Sequence, residues 1–406
     1  MASESNALAP IKQAMQALLH EVGPLISENI PLADAAGRVL AEPVAAQMDV
    51  PPFDNSAMDG YALHHADAGS SLPIASRVAA GDTPLALERG TCARIFTGGA
   101  LPRGADCVVM QEKVTVTDGI ATLPGDIPQG DNVRRRGRDV TAGNLLLEAG
   151  TRLEAAALGH LAGQGINVVN VRKKPRVALL STGDEIIDPG IPLAPGQIYN
   201  TNRPMLVSLL ERFGAEVVQT RHVPDDAQGT RTCLREAAEI ADIVVSTGGV
   251  SVGEEDHVKA ALEALGKLNL WRLAIRPGKP LALGRITNSH NQVVRVVGLP
   301  GNPVSGFVGA WLFLRPLIGA MLSCNAMAEL PSLWATSDFS TSTGPRQHYM
   351  RVRLSFSRDG IHAHAFADQN SGVLSSCVGA NALAVVPPES QIAPGDSLEC
   401  LWLTSP

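Results

Sequence analysis

The chain has 406 residues, of which 45% are hydrophobic, 18% charged and only 4% aromatic, with 39 glycines and 28 prolines. That apolar share, at ~150 residues per folding unit, predicts two to four packed units and excludes a disordered chain. Lysine and arginine number 33 against 40 acidic residues, a net charge of −7, which excludes a broad nucleic-acid surface but leaves room for a small anion in one pocket.

The start, Met1 to Asn6, lacks the basic and apolar regions of a signal peptide. Pro10 then stands at a plausible first helical position, and Ile11, Ala14, Met15, Leu18, Leu19 and Val22 recur on one helix face. The first forty residues therefore read as helical, and a second helix is expected over 153–161. Between them, from 45 to 139, short β-branched runs alternate with glycine and proline. Residues 107–110 and 114–117 are examples, the latter followed by a turn at Asp118-Gly119. This predicts a small β-rich domain, 45–139, inserted into a helical linker domain made of 1–44 and 140–172.

Arg172-Lys173-Lys174-Pro175 marks a boundary. Beyond it strands are expected at 177–180, 216–218, 243–245, 281–286 and 293–297. Helices are expected at 204–213, 230–240, 257–265 and 303–322, the last kinked at Pro316. The alternation predicts an α/β unit over 173–326 with a central, doubly wound, mainly parallel sheet. The longest apolar helical run, 307–314, is expected to stop at Arg315-Pro316, too short for a membrane span. From 331 the period returns to two, with a hairpin turning at Asp359-Gly360 and further strands at 382–386 and 398–403. That pattern predicts a C-terminal β-barrel domain over 327–406. The six cysteines form no zinc spacing, so they read as reduced thiols of a cytoplasmic protein. His362 and His364 share one face of a strand without ligand-type neighbours.

Open α/β sheets bind ligands beyond the carboxyl ends of their strands, and four such ends here carry similar sequence. One holds Ser181, Thr182, Gly183, Asp184 and Glu185; another runs from Ser246 through Gly248, Gly249 and Ser251 to Asp256. A third has Arg276, Pro277, Gly278, Lys279 and Pro280; the fourth has Pro300, Gly301, Asn302, Pro303 and Ser305. Glycine lets backbone N–H groups approach a phosphate. Asn302 before Pro303 reads as a helix cap that aims a helix N-terminus into the crevice. Arg276 and Lys279 add full positive charge. Gly248 and Gly253 have P-loop spacing, but Glu254 and Glu255 stand where Lys and Ser/Thr belong. Acids beside a phosphate make sense only with a hard divalent cation between them, and Mg²⁺ suits oxygen donors. No dinucleotide-binding Gly-x-Gly-x-x-Gly follows a strand. The segment 51–62, around Asp59, reads either as a structural corner or as a functional loop. The basic run Arg134-Arg135-Arg136 before Asp139 reads as solvated surface or as an anion contact.

Taken in order, these segments resemble the molybdopterin molybdenumtransferase family, the bacterial MoeA proteins and the related domain of gephyrin. The likeness covers the whole chain, including 51–62, Phe96–Gly99, Val133–Gly137, the four sheet-edge segments and the late Gln369-Asn370-Ser371-Gly372. It implies an elongated homodimer that takes adenylated molybdopterin and molybdate, inserts molybdenum and releases AMP with Mg²⁺, completing cofactor biosynthesis. Carried over by motif, Glu185, Asp225 and Asp256 would serve the nucleotide and pyrophosphate end, with Asp256 and Glu185 as metal ligands. Arg276, Lys279, Ser305, Arg351 and Ser371 would cradle molybdate. Asp59, Thr97 and Asp139 would reach the partner subunit's sheet domain, with Asp59, Glu185 and Asp256 as the catalytic set. A molybdopterin adenylyltransferase and recipient molybdoenzymes would be protein partners. The chain departs from the family pattern at Arg276, where lysine is common, and at Arg138, where an acid is frequent. Two other readings compete: a nucleotide pyrophosphatase with a similar sheet domain, and a non-catalytic dimeric scaffold.

Overall fold

The computed structural model describes residues 8–223, 226–249 and 257–403, without the side chains of 269–271. A strand apolar on both pleats must be covered on both faces, and Arg176–Thr182 (β1) is such a strand. Val177 and Leu179 enter one core with Leu206, Leu210 and Trp311. Ala178 and Leu180 enter another with Leu234, Ala237 and Leu262. Glu216–Val223 (β2), Ile243–Thr247 (β3), Gly266–Arg272 (β4), Pro280–Thr287 (β5) and Val293–Leu299 (β6) complete the sheet, in the order β2-β1-β3-β6-β5-β4. The pairs β1/β2, β1/β3 and β3/β6 are parallel, while β5 and β4 are added antiparallel. The same alternation runs through β3, where Ile243 and Val245 face the first core and Val244 the second. Helices Asn202–Arg212 and Pro303–Leu322 cover one face; Ala227–Ile240 and His257–Leu265 cover the other. The doubly wound, mainly parallel sheet foreseen from sequence is present, and β4, which continues directly from a helix, is the strand that was not foreseen.

Two expectations fail. Arg315-Pro316 does not end the apolar helix: Ala310–Leu314 widens into π turns just before Pro316, which has no N–H to give the preceding turn. Arg315 is 1% exposed and donates to the carbonyls of Ala326, Met327 and Glu329, anchoring the helix to the chain that follows. By length and composition this helix could cross a bilayer, but 89% of its apolar window is buried, so it is the core helix of the sheet. Nor are the first forty residues all helical. Ile11–Leu19 is a helix, with Ala14 and Leu18 packed into the first core of the sheet. After Gly23-Pro24 the chain extends, and Ser27–Pro31 pairs antiparallel with Val168–Arg172.

Val44–Ala45 and Leu145–Leu147 lie antiparallel, so the chain enters and leaves the inserted region side by side. Within it six strands form one sheet, in the order 107–110, 60–63, 92–95, 71–78, 120–122 and 115–117. Near the C-terminus, Ser332–Ser337, Gln347–Ser357, Gly360–Ala365, Ala382–Val386 and Ser397–Trp402 close into a five-stranded barrel. Val352, Leu354, Ala363, Ala384 and Cys400 fill it. Strand Gln347–Ser357 also pairs parallel with Ile275–Arg276, placing His348 opposite Arg276 and tying the barrel to the sheet's ligand edge.

Candidate functional site

Beyond the carboxyl ends of β1, β3 and β6 lies a cavity of about 1300 Å³. All four sheet-edge segments line it: Thr182, Gly183 and Glu185; Gly248 and Gly249; Arg276 and Lys279; Pro300, Asn302, Pro303 and Ser305. Gln369, Asn370, Ser371 and Gly372, from the loop beside the barrel, form another wall. The four turns therefore converge on one rim, as an α/β sheet with a topological switch between β1 and β3 requires.

The glycines are required here by geometry. Gly183 has φ +116, and a Cβ there would lie 2.5 Å from a Glu185 carboxylate oxygen; Gly248 has φ +83, and a Cβ would lie 2.6 Å from the Thr182 hydroxyl. Thr182 itself donates to the Thr247 carbonyl at 3.1 Å, locking β1 to β3 at the rim. Asn302 is the cap residue and Pro303 the first helical residue, as expected, although the Asn302 side chain caps nothing. The start of this helix, through Asn302, Pro303 and Ser305, thus stands at the cavity. Ser305 is buried at its first turn, and the Val304 N–H donates to the Ser371 carbonyl at 3.1 Å, joining helix and loop.

Arg276, Lys279 and Arg346 put three cationic residues on the cavity, facing Glu185 as its acidic residue among the described residues. Arg346 was not singled out in the sequence. It precedes a barrel strand in a glycine-proline turn, and only the pairing of that strand with Ile275–Arg276 brings it to the rim. The charge is felt next door: burial first, then the guanidiniums of Arg276, Arg346 and Arg351, push the His348 imidazole down to about 4. Asn200 and Asn202, also on the cavity, were missed as well; Asn202 donates to the Gly301 carbonyl at 2.7 Å and sets the turn before the helix.

Several residues named from the resemblance lie elsewhere. Arg351 is 1% exposed and does not line the cavity. Its guanidinium donates to Ser376 Oγ at 2.9 Å and to the carbonyls of Gln369, Asp368 and Asn370 at 3.0, 3.2 and 3.1 Å. It stands behind the wall and holds the loop that carries Ser371, rather than lining the cavity beside Arg276 and Lys279. Asp59 and Thr97 meet each other in the inserted region, where the Thr97 N–H and hydroxyl both donate to Asp59 at 2.8 Å. Those bonds, with Arg94 nearby, hold the Asp59 carboxyl below its usual range. Asp139 lines a smaller cavity of about 490 Å³ against His160 and Leu147. None of these three lines the large cavity of its own chain. Asp225, Ser251 and Asp256 lie outside the described residues. His364 is not without partners, for it bonds Asp338 at 2.5 Å and Ser355 at 2.7 Å.

Residues 9–165 match the MoeA N-terminal region (domains I and II), residues 178–320 a probable molybdopterin binding domain, and residues 336–403 the MoeA C-terminal region (domain IV). A molybdopterin molybdenumtransferase of Haemophilus influenzae is 37% identical over 389 residues, covering 93% of this chain and 94% of that one. One from a Nostoc species is 36% identical over 379 residues, covering 89% and 85%. A crystal structure of a molybdopterin biosynthesis MoeA protein from Pyrococcus horikoshii superposes with a TM-score of 0.83 at 28% identity, covering 98% of this chain and all of that one. The chain belongs to the MoeA family of molybdopterin molybdenumtransferases, enzymes of molybdenum-cofactor biosynthesis.

Proposed function

We propose that the chain performs the last step of that biosynthesis: it inserts molybdenum from molybdate at the dithiolene sulfurs of adenylated molybdopterin and releases AMP, aided by Mg²⁺. The observation that carries this reading is that one cavity combines a cationic corner with a rim of glycine turns and a helix N-terminus. Its volume exceeds the ~300–1,000 Å³ of ordinary small-molecule sites, as a nucleotide-linked pterin with a second oxyanion demands. Arg276, Lys279 and Arg346 would hold the molybdate dianion, with Ser305 and Ser371 as neutral donors. Gly183, Gly249 and the start of the Pro303 helix would receive the pyrophosphate.

Glu185 is the carboxylate that lines the cavity among the described residues. Mg²⁺ is commonly held by one or two carboxylates plus substrate phosphates, so the donor set fits, with Asp256 as the other ligand by resemblance. When bound, the cation would neutralise developing charge on the pyrophosphate. With the cation held chiefly by Asp256, an oxygen of Glu185 would be left to accept a proton from the attacking water. Asp59, kept ionised by Thr97, suits holding a cation or a substrate donor better than taking a proton at neutral pH. Because Asp59, Thr97 and Asp139 stand off the cavity of their own chain, the reading requires a homodimer in which the inserted region of one subunit serves the cavity of the other. Cytoplasmic location, a supplying molybdopterin adenylyltransferase and recipient molybdoenzymes complete the proposal.

The test is AMP release from adenylated molybdopterin as molybdate is titrated in. Release should depend on molybdate and be lost in Asp256→Ala. Full molybdate-dependent release by that variant would remove its role, and release indifferent to molybdate would favour a pyrophosphatase.

A further inference from the structure

Two consecutive histidines close the strand Gly60–Leu63 in the inserted region, away from the cavity. Their rings stack at 4.7 Å between centroids, 24° from parallel, and each brings a ring nitrogen to the same carboxylate. Asp106 meets them from the neighbouring strand, because Leu63 is paired with Cys107 across the sheet. Its carboxylate is fixed in place: Oδ1 accepts the His65 N–H at 2.7 Å, and Oδ2 accepts His65 Nδ1 at 2.6 Å and Gln129 Nε2 at 3.2 Å. His64 Nε2 stands 3.8 Å from the same Oδ2. One ligand atom from each of the three residues lies within 4.8 Å of the others. The Asp106 side chain is 16% exposed and the two histidines 30% and 39%, so the cluster is half-sheltered but open to an ion from solvent.

We propose that His64, His65 and Asp106 form a binding site for a divalent cation of the zinc class. Two imidazole nitrogens and one carboxylate oxygen are the donor set such ions prefer over Mg²⁺ or Ca²⁺. At bond lengths of ~2.1 Å, tetrahedral ligand atoms sit ~3.4 Å apart, so small ring rotations close the site and leave a position for water. Coordination through His64 Nε2 leaves the proton on Nδ1 and so gives up the long 3.2 Å bond that Nδ1 now accepts from the Ala66 N–H. His65 exchanges its hydrogen bond to Asp106 for a shared ion. The ion would pin the ends of two adjacent strands, one of which begins directly after Asp59.

The test uses the full chain, stripped with a chelator and titrated with zinc chloride against a coloured competitor, with Co²⁺ as a spectroscopic probe. Wild type should bind one equivalent that raises the melting temperature, and the Co²⁺ adduct should show ligand-field absorption of a nitrogen-bearing site. His64→Gln removes a ligand but leaves the Asp106–His65 pair intact. It should melt like wild type in chelator and bind zinc at least ~10-fold more weakly. Binding unchanged in His64→Gln would place the ion elsewhere and overturn the proposal, as would no detectable binding by wild type at a zinc concentration ~100 times a micromolar dissociation constant. Molybdate-dependent AMP release is scored separately, so either reading can fail without the other.

Discussion

Replacing Arg351 and Arg346 by methionine in parallel separates a side chain that holds the wall from one that faces the guest. Arg351 gives four hydrogen bonds, three of them to the carbonyls of 368–370. A bond from a charged donor is worth ~1.5–3 kcal/mol net, but burial disfavours the guanidinium, as its lowered affinity for a proton records. The full sum is therefore an upper bound, and with ~1–3 kcal/mol for each buried acceptor left unpaired, partly offset by the guanidinium no longer being buried, a net cost of ~3–5 kcal/mol follows. Arg351→Met should destabilise the barrel and its junction by about that amount and speed amide exchange over 368–372. Among the described residues Arg346 makes no bond of this kind, and it faces the cavity, so Arg346→Met should leave stability within ~0.5 kcal/mol. It should instead weaken molybdate binding. A unit charge pair ~4 Å apart at an effective dielectric of ~20 gives ~4 kcal/mol before desolvation, and half of that surviving means ~30-fold in affinity. Calorimetric melting, hydrogen exchange and molybdate titration read the three quantities. If Arg351→Met melted normally, exchanged normally and still lost molybdate, its guanidinium would touch the anion directly and the assignment to the wall would be wrong.

Lys279→Gln should weaken molybdate far more than AMP, checked by titrating each; equal loss of both would place the ammonium at the wrong end of the cavity. Gly248→Ala meets both a positive φ and the Thr182 hydroxyl, so a cost above ~1–2 kcal/mol and loss of nucleotide binding should appear together in melting and binding assays. His348 should titrate near 4 by NMR rather than near the ~6.5 of an unfolded chain. Between those values the unfolded chain takes a proton that the native one declines, so stability should fall as pH drops from ~6.5 toward 4 and be flat above. A dianion in the cavity should raise the His348 value, and a midpoint near 6.5 in the empty protein would refute the field drawn from Arg276 and Arg346.

The sheet and its ligand rim were legible because local chemistry and fold agree there. Val177 to Leu180 read as doubly covered, and Gly183, Gly248 and Pro303 mark turns wherever they occur. What escaped was set by pairing at long range. Ser27–Pro31 becomes a strand only because Val168–Arg172 comes to meet it. Arg346 reaches the cavity only because a barrel strand pairs with Ile275–Arg276, whereas the 369–372 loop on the same wall was named from its motif. Arg351 shows the converse limit, since a motif fixes the residue type without saying which way its guanidinium turns. Helix 303–322 runs through Pro316 as its apolar period foresaw, and what its sequence hid is the run of π turns over Ala310–Leu314 that accommodates the proline.

The two-rung ladder joining Ile275–Arg276 to Gln347–His348 has a thermodynamic corollary. An oxyanion seated between Lys279 and Ser371 would touch both of the bodies that this ladder stitches, so occupancy and cohesion are two faces of one equilibrium. Whatever loosens the seam should lower affinity for the guest, and saturating guest should make the seam harder to open, by equal free energies. Severing the chain near residue 331 would then delete half of a vise, and the remaining half would grip nothing.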